Sequence, residues 1–340
     1  MPSELILPES SHESSPAQPP FQILCLSGGG YRGLYTATLL EELEKQSVKP
    51  LAQVFDLIAG TSIGGILALG LAAGIKAKTL RESFEKKGSA IFPSWIKVAG
   101  LKVLPRFGIG AVRSKYNVDG LRETIEAIFA SAGSVKTLHD LQAEVLIPSV
   151  DVTNSAPRLF GLDKRFLSVP LLDVALATSA APTYFPEHLF DKNIFVDGGL
   201  IANAPDVIAL VHALKTHSLE HIQMLSLGTV GGAGGEAARK PNRRGFLLTG
   251  KKLVDLTLNA QEKLSIEVTA NLLDKNYIRL DANPSAKQLK AIGLDKTGKK
   301  ASDTLVVLAQ NTVAEGFARH KGKLQTMLNR TASRHRPSTP

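Results

Sequence analysis

In 340 residues the chain has a single cysteine, Cys25. A lone thiol has no internal partner, so no intrachain disulfide can staple the fold, and a reducing compartment is expected. Cys25 stands inside the apolar run "FQILC", where a small buried side chain is expected rather than a nucleophile. Tryptophan is equally scarce, with Trp95 alone. The N-terminus lacks the basic start and long apolar centre of a secretion signal. Residues 1–20, "MPSELILPESSHESSPAQPP", are Ser/Pro-rich and acidic and read as a disordered arm. A cytoplasmic protein is the expectation. Acids are in deficit, with 31 Asp and Glu against 40 Lys and Arg, a formal net charge of +9. That balance favours anionic partners: a phospholipid surface, a nucleotide or a nucleic acid. Solubility alone is the plainer alternative. Core material is not lacking. At 44% hydrophobic residues the chain suits one large α/β domain or two smaller ones.

One stretch imitates a membrane span. "LIAGTSIGGILALGLAAGI", residues 57–75, is uncharged over 19 residues, about the length a bilayer crossing needs. It also holds five glycines, with Thr61 and Ser62 near its start. A buried strand, a tight turn and a buried helix have the same composition, and the chemistry of the turn favours that reading. "FQILCLS", "VFDLIAG", "VLIPSVDVTN", "NIFVDGG" and "IQMLSLGT" read as strands. Between them, "LYTATLLEELEKQ", "IGGILALGLAAG", "LLDVALATSAA" and "PDVIALVHALKTH" read as helices. Alternation of this kind predicts an α/β fold with a mostly parallel sheet covered on both faces. In such sheets ligands sit at the carboxyl ends of the strands.

Two segments break the regularity. Residues 88–116 mix apolar and basic residues, contain no acid, and read as a cap-like insertion. Residues 231–245, "GGAGGEAARKPNRRG", read as a basic loop, and 331–340 as a frayed basic tail. The expected organisation is therefore an arm (1–20), a catalytic domain (21–230), a basic loop and helical part packed on that domain (231–330), and a disordered tail (331–340). There is no internal repeat.

Gly28-Gly29-Gly30-Tyr31-Arg32-Gly33 matches the dinucleotide fingerprint G-x-G-x-x-G after a strand. A dinucleotide-binding oxidoreductase would also carry an acid at the end of the next strand for the ribose. That strand instead ends in Gly60-Thr61-Ser62-Ile63-Gly64, and a phosphate-loop lysine is absent too. G-x-S-x-G between strand and helix is the nucleophile-elbow pattern: the turn is so tight that glycines flank the serine, whose hydroxyl projects at the positive end of the following helix. A capping serine at a Gly-rich helix start is the bland alternative. A serine nucleophile needs a base. His212, His217 and His221 are candidates for a triad, each lacking a loop motif and readable as a surface or packing residue. Asp197, at the end of an apolar strand in "DGG", is the carboxylate candidate, with a turn-forming Asp-Gly as its structural alternative.

"SGGGYRG" (27–33), "GTSIGG" (60–65), "LATSAAPTYFP" (176–186) and "DGGLIANAP" (197–205), in that order, resemble patatin-like phospholipases over about residues 21–230. The resemblance implies the patatin-like three-layer sandwich. It implies a Ser-Asp dyad, with Ser62 as nucleophile and Asp197 as general base. Gly28, Gly29 and Gly30 would form the oxyanion hole, and Arg32 would support that loop or face a substrate phosphate. No metal and no cofactor are implied. Ser27 departs from the aspartate common before the glycines, and Ala204 from the asparagine common in the second motif. The implied substrate is a membrane glycerophospholipid, met at the inner membrane by a peripheral protein. Trp95, Lys97, Lys102, Arg106, Arg113 and Lys115 suit such an interface, or alternatively a solvated rim on a packed cap. A subset of this family serves bacterial anti-phage signalling, the CBASS systems, in which a cyclic oligonucleotide switches the lipase on. This chain is similar to that subset in size and motif spacing. Arg239, Lys240, Arg243, Arg244, Lys251 and Lys252 would then meet the phosphates of a cyclic dinucleotide, or simply be solvated. A homo-oligomer is compatible with the sequence, and no nucleic-acid partner is expected. A catalytically silent nucleotide- or membrane-binding module is the remaining alternative.

Overall fold

The computed structural model of the chain describes residues 19–93, 96–98, 101–103, 114–231 and 246–333. Strand β1, Phe21–Leu26, is central. Its residues alternate between two apolar clusters. Leu24 and Leu26 face one, and Ile23 and Cys25 the other, as a pleated strand buried on both sides must arrange them. Cys25 packs on Met224 and burial pushes its thiol well above the usual range, so it is an inert core residue.

Helix α1, Gly33–Gln46, follows the glycine loop, and strand β2, Leu57–Gly60, leads through Thr61 and Ser62 into helix α2, Ile63–Ala72. Every residue of α2 is buried. The apparent membrane span is thus strand, turn and a ten-residue core helix. Among the described residues no helix is long and apolar enough to cross a membrane. Helix α3, Ala77–Ile91, includes residues 88–91, placed by sequence in the insertion: buried Gly88 and Ile91 continue its apolar face. The hairpin of β3, Ile96–Val98, and β4, Leu101–Val103, carries Lys97 and Lys102. Trp95, Arg106 and Arg113 lie outside the described residues, as do Arg239, Lys240, Arg243 and Arg244, residues 1–18 and residues 334–340.

Next come α4, Asp119–Ala130; β5, Glu144–Asp151; β6, Ala156–Phe160; α5, Leu171–Ser179; β7, His188–Phe190; and β8, Asn193–Asp197. They are followed by α6, Gly199–Ala202; α7, Asp206–Ala213; and β9, Ile222–Leu227. The C-terminal part supplies α8, Phe246–Leu273; β10, Tyr277–Leu280; α9, Ala286–Ala291; and α10, Lys299–Asn329. Lys251 and Lys252 fall in the first turns of α8.

The main sheet has the order β10-β9-β1-β2-β5-β8-β7, with β6 also paired to β5. Pairings from β10 to β5 are parallel, whereas β6, β7 and β8 join antiparallel. The sheet is therefore mixed, with its strand core parallel as expected. In the antiparallel half, β7 and β8 form a tight hairpin through Asp191 and Lys192, both at positive φ, which is the backbone a two-residue turn demands. Strand β10 was not legible as a strand, and it carries the C-terminal part into the sheet itself. On one face α10 packs along α1, where Tyr31 and Tyr35 hydrogen-bond to Ser302 and Thr312. Beyond α10, residues placed by sequence in the tail are held: the Ser333 amide bonds Asp56, as does Arg330 just before the tail, and the Ala332 amide bonds the Gln53 carbonyl.

Register positions the site. Leu26 pairs with both Gly60 and Leu227, so β1, β2 and β9 end level. Three loops, beginning at Ser27, Thr61 and Gly228, emerge side by side at the carboxyl edge. β5 runs past that edge, and β8 descends along it in the opposite sense to pair Asp197 with Ser149. Asp197 thus reaches the edge by entering from outside, not by ending a parallel strand as the sequence suggested.

Candidate active site

Ser62 occupies the turn between β2 and α2 with φ 54° and ψ −124°, a backbone that costs a non-glycine residue about 1–3 kcal/mol. The surrounding fold enforces it. A Cβ on Gly60 would fall 2.2 Å from the Gly64 carbonyl oxygen, and one on Gly64 would fall 2.3 Å from that of Leu26. This mutual approach of strand, helix and neighbouring strand is why glycine flanks the serine on both sides. The Ser62 amide donates to Thr178 Oγ1 at 3.0 Å, and the Thr178 hydroxyl donates to the Pro148 carbonyl at 2.6 Å. Helix α5 and strand β5 thereby fix the turn.

The Ser62 hydroxyl donates to Asp197 Oδ2 at 2.7 Å. The other oxygen, Oδ1, accepts the Gly199 amide at 2.6 Å. Asp197 is 6% exposed, and burial raises its pKa to about 6 although both hydrogen bonds favour the charged form. His212, His217 and His221 lie elsewhere. His212 touches Glu144 at the start of β5, His217 stacks on Phe21 at the start of β1, and His221 precedes β9. All three stand at the opposite edge of the sheet from Ser62, so none can serve it as a base.

The glycine loop passes beside Ser62: a Cβ on Gly28 would lie 3.4 Å from Ser62 Cβ. Gly28 departs from the expected set of three donors, because its amide is already given to the Asn203 carbonyl at 2.8 Å. For Gly29 and Gly30 no such amide bond is found among the described residues, and both line a cavity with Ser62 and Asp197. Their peptide planes are held from behind. Thr229 Oγ1 donates to the Gly28 carbonyl at 2.7 Å, and in a trans peptide that fixes the Gly29 N–H on the opposite side. Arg32 Nε donates to the Gly29 carbonyl at 3.4 Å and fixes the Gly30 N–H in the same way. Gly30 itself has φ +56°, the left-handed region that glycine enters without strain. Arg32 is therefore a brace on the loop, and its Nη1 also donates to the Val230 carbonyl at 3.3 Å.

Behind the loop lies a charged cluster invisible to motif reading. Arg279 on β10 donates to Ser27 Oγ and Ser226 Oγ and pairs with Glu262 and Asp281 at 3.3 and 3.0 Å. Glu262 on α8 also accepts from Asn203 Nδ2 at 2.7 Å, and burial raises its pKa. Ser27, the departure noted above, is thus an acceptor for Arg279. Thr178 and Asn203 sit inside motifs already quoted, and that position was the one available signal. Thr229, Glu262 and Arg279 had none.

The cavity measures about 510 Å³. Its walls away from the serine are mainly apolar, including Ile66, Phe84, Phe92, Phe185, Leu200 and Leu258. At one side Lys115 pairs with Asp295, and the Tyr116 hydroxyl donates to the same carboxylate at 2.9 Å. A polar head with a hydroxyl–carboxylate pair, opening on an apolar chamber, suits an ester with a long acyl chain.

Residues 24–210 match the family model for patatin-like phospholipase. The chain belongs to the patatin-like phospholipase family. Three relatives extend the match across most of its length. A cGAMP-activated phospholipase of Pseudomonas aeruginosa is 38% identical over 301 residues, covering 84% of this chain and 86% of the relative. Proteins of the same description from Vibrio cholerae and Escherichia coli are each 33% identical, over 88% and 92% of this chain and 92% and 94% of their own lengths. The patatin fold accounts for the mixed sheet described above, and membership sets aside the oxidoreductase reading of the glycine loop.

Proposed function

We propose that this patatin-like phospholipase hydrolyses fatty-acyl esters of membrane glycerophospholipids through Ser62 and Asp197, at the inner membrane surface, when a cyclic dinucleotide activates it in anti-phage defence. The observation that carries the reading is the 2.7 Å bond from the Ser62 hydroxyl to a buried carboxylate at the head of an apolar cavity. Asp197 takes the serine proton as Oγ attacks the ester carbonyl. The carbonyl oxygen becomes an oxyanion, which the Gly29 and Gly30 amides stabilise. One such donor typically contributes about 3 kcal/mol to the transition state. Collapse breaks the ester bond, and Asp197 returns its proton to the departing lysophospholipid alkoxide. Water then attacks the acyl-serine, giving its proton to Asp197. The second tetrahedral species expels the serine oxygen, which regains a proton, and the fatty acid leaves.

Nucleotide activation is supported by the names of the three relatives and by the length over which they match. The test is fatty-acid release from phosphatidylethanolamine–phosphatidylglycerol vesicles, with and without cGAMP. Release by the wild type in the presence of cGAMP is expected, with a loss of about a thousandfold or more in Ser62→Ala and Asp197→Ala. Undiminished release by Ser62→Ala would overturn the dyad. Equal release without the nucleotide would overturn the switch.

A further inference from the structure

Helix α8 is apolar on two sides. Its inner side gives Val254 and Leu258 to the cavity wall and buries Ser265, Thr269 and Leu273. Its outer side should be polar if water were its natural neighbour. Instead Leu253, Leu256, Leu264, Val268 and Leu272 are exposed there, Leu256 and Leu264 by 63% and 62%. Leu256, Ala260, Leu264, Val268 and Leu272 recur every fourth residue, a row about 24 Å long. Exposed apolar residues also occur on the two helices packed against α8: Ile201 of α6, Val211 of α7 and Leu214 just beyond it, with α7 bonding α8 through the Val207 amide and Ser265. An exposed apolar row of this length marks an interaction site.

We propose that this face is a homodimer interface in which α8 packs antiparallel on α8 of a second copy, with the two-fold axis beside Leu264. The row is self-complementary under reversal. It sets Leu256 against Leu272 of the partner subunit, Ala260 against Val268 of the partner subunit, and Leu264 against its own counterpart. The charges agree as well. Lys263 and Glu267 are the charged residues exposed on the described side chains of α8, and both lie on one flank of the row. Reversal about the axis brings Lys263 beside Glu267 of the partner subunit, and the symmetry repeats the pair. A lipid surface explains this flank less well. Helices that dock on anionic membranes concentrate Lys and Arg along their polar edge, whereas the described side chains of this edge set one Lys against one Glu.

The test is sedimentation of the full-length protein at about 50 μM, well above a micromolar Kd. The wild type is expected to be a dimer, and Leu264→Asp should weaken it by about 30-fold or more. Lys263→Glu and Glu267→Lys should each weaken it, and the double exchange should restore it. Leu264→Cys supplies an independent check, because Cys25 is buried and cannot compete. Mild oxidation should give a covalent dimer from this variant and not from Val48→Cys, at a 75% exposed site elsewhere. A monomeric wild type, or a dimer indifferent to Leu264→Asp, would overturn the proposal. A chain that stays monomeric and loses vesicle binding in Leu264→Asp would assign the face to lipid instead.

Discussion

Asp197 faces two opposed demands. To accept the serine proton it must be charged, yet it is buried where charge is costly, and its pKa is raised to about 6. The carboxylate form, competent as a base, is lost as pH falls through that value. kcat/KM is therefore expected to climb between pH 5 and 7 with an apparent pKa near 6, and a profile flat across that window would contradict the assignment. The same shift has a stability consequence. The folded state holds the Asp197 proton more tightly than the unfolded chain, so the wild type loses stability as pH rises from about 4 to about 6, by about 3 kcal/mol. Asp197→Asn cannot ionise and keeps the site's shape. It should unfold at higher urea than the wild type at pH 7, with the advantage gone at pH 4. No advantage at pH 7 would mean that the buried carboxylate is not under strain.

At the scale of elements, the proposed mechanism rests on how loops are held at the ends of level strands. Thr229, just beyond β9, holds the Gly28 carbonyl and packs against Gly29. Thr229→Val preserves the packing and removes the hydroxyl. The Gly28–Gly29 peptide is then free to tilt, which should lower kcat about tenfold with KM nearly unchanged, because the amide is needed for the oxyanion more than for the ester. Stability should fall by only about 1 kcal/mol. A rise in KM at constant kcat would show instead that the loop serves ground-state binding. What the sequence makes legible follows the same division. Strands β1 and β2, the elbow at Ser62 and the run into Asp197 are readable because each is local: an apolar run, then glycine, then chemistry. The β7–β8 hairpin is not readable, since its turn is built from Asp191 and Lys192 in place of the usual Asn-Gly. Strand β10 is four residues long with Arg279 in its middle, too short and too polar to signal a buried strand.

Across the whole molecule the site is assembled from distant sequence. Arg279 reaches Ser27 over 252 positions, and Glu262 on α8 meets Asn203 over 59. No spacing rule links such residues, so the network behind the glycine loop emerges only once the sheet is formed. It also gives the C-terminal part a role in the site. Helix α8 holds the loop through Glu262, lines the cavity through Val254 and Leu258, and presents the apolar outer face argued above to be self-associating. The glycines at 28, 29 and 30 were readable as a group, yet their division of labour was not, because the Asn203 carbonyl that occupies the Gly28 amide comes from the far side of the chain.

The central claim is that the buried carboxylate makes Ser62 a nucleophile. It is tested most directly by mass spectrometry of the protein treated with a fluorophosphonate in the presence of cGAMP. The account predicts one adduct, on the peptide containing Ser62, absent in Ser62→Ala and formed far more slowly in Asp197→Asn. An adduct on another serine, or labelling of Ser62 at an unchanged rate in Asp197→Asn, would contradict it.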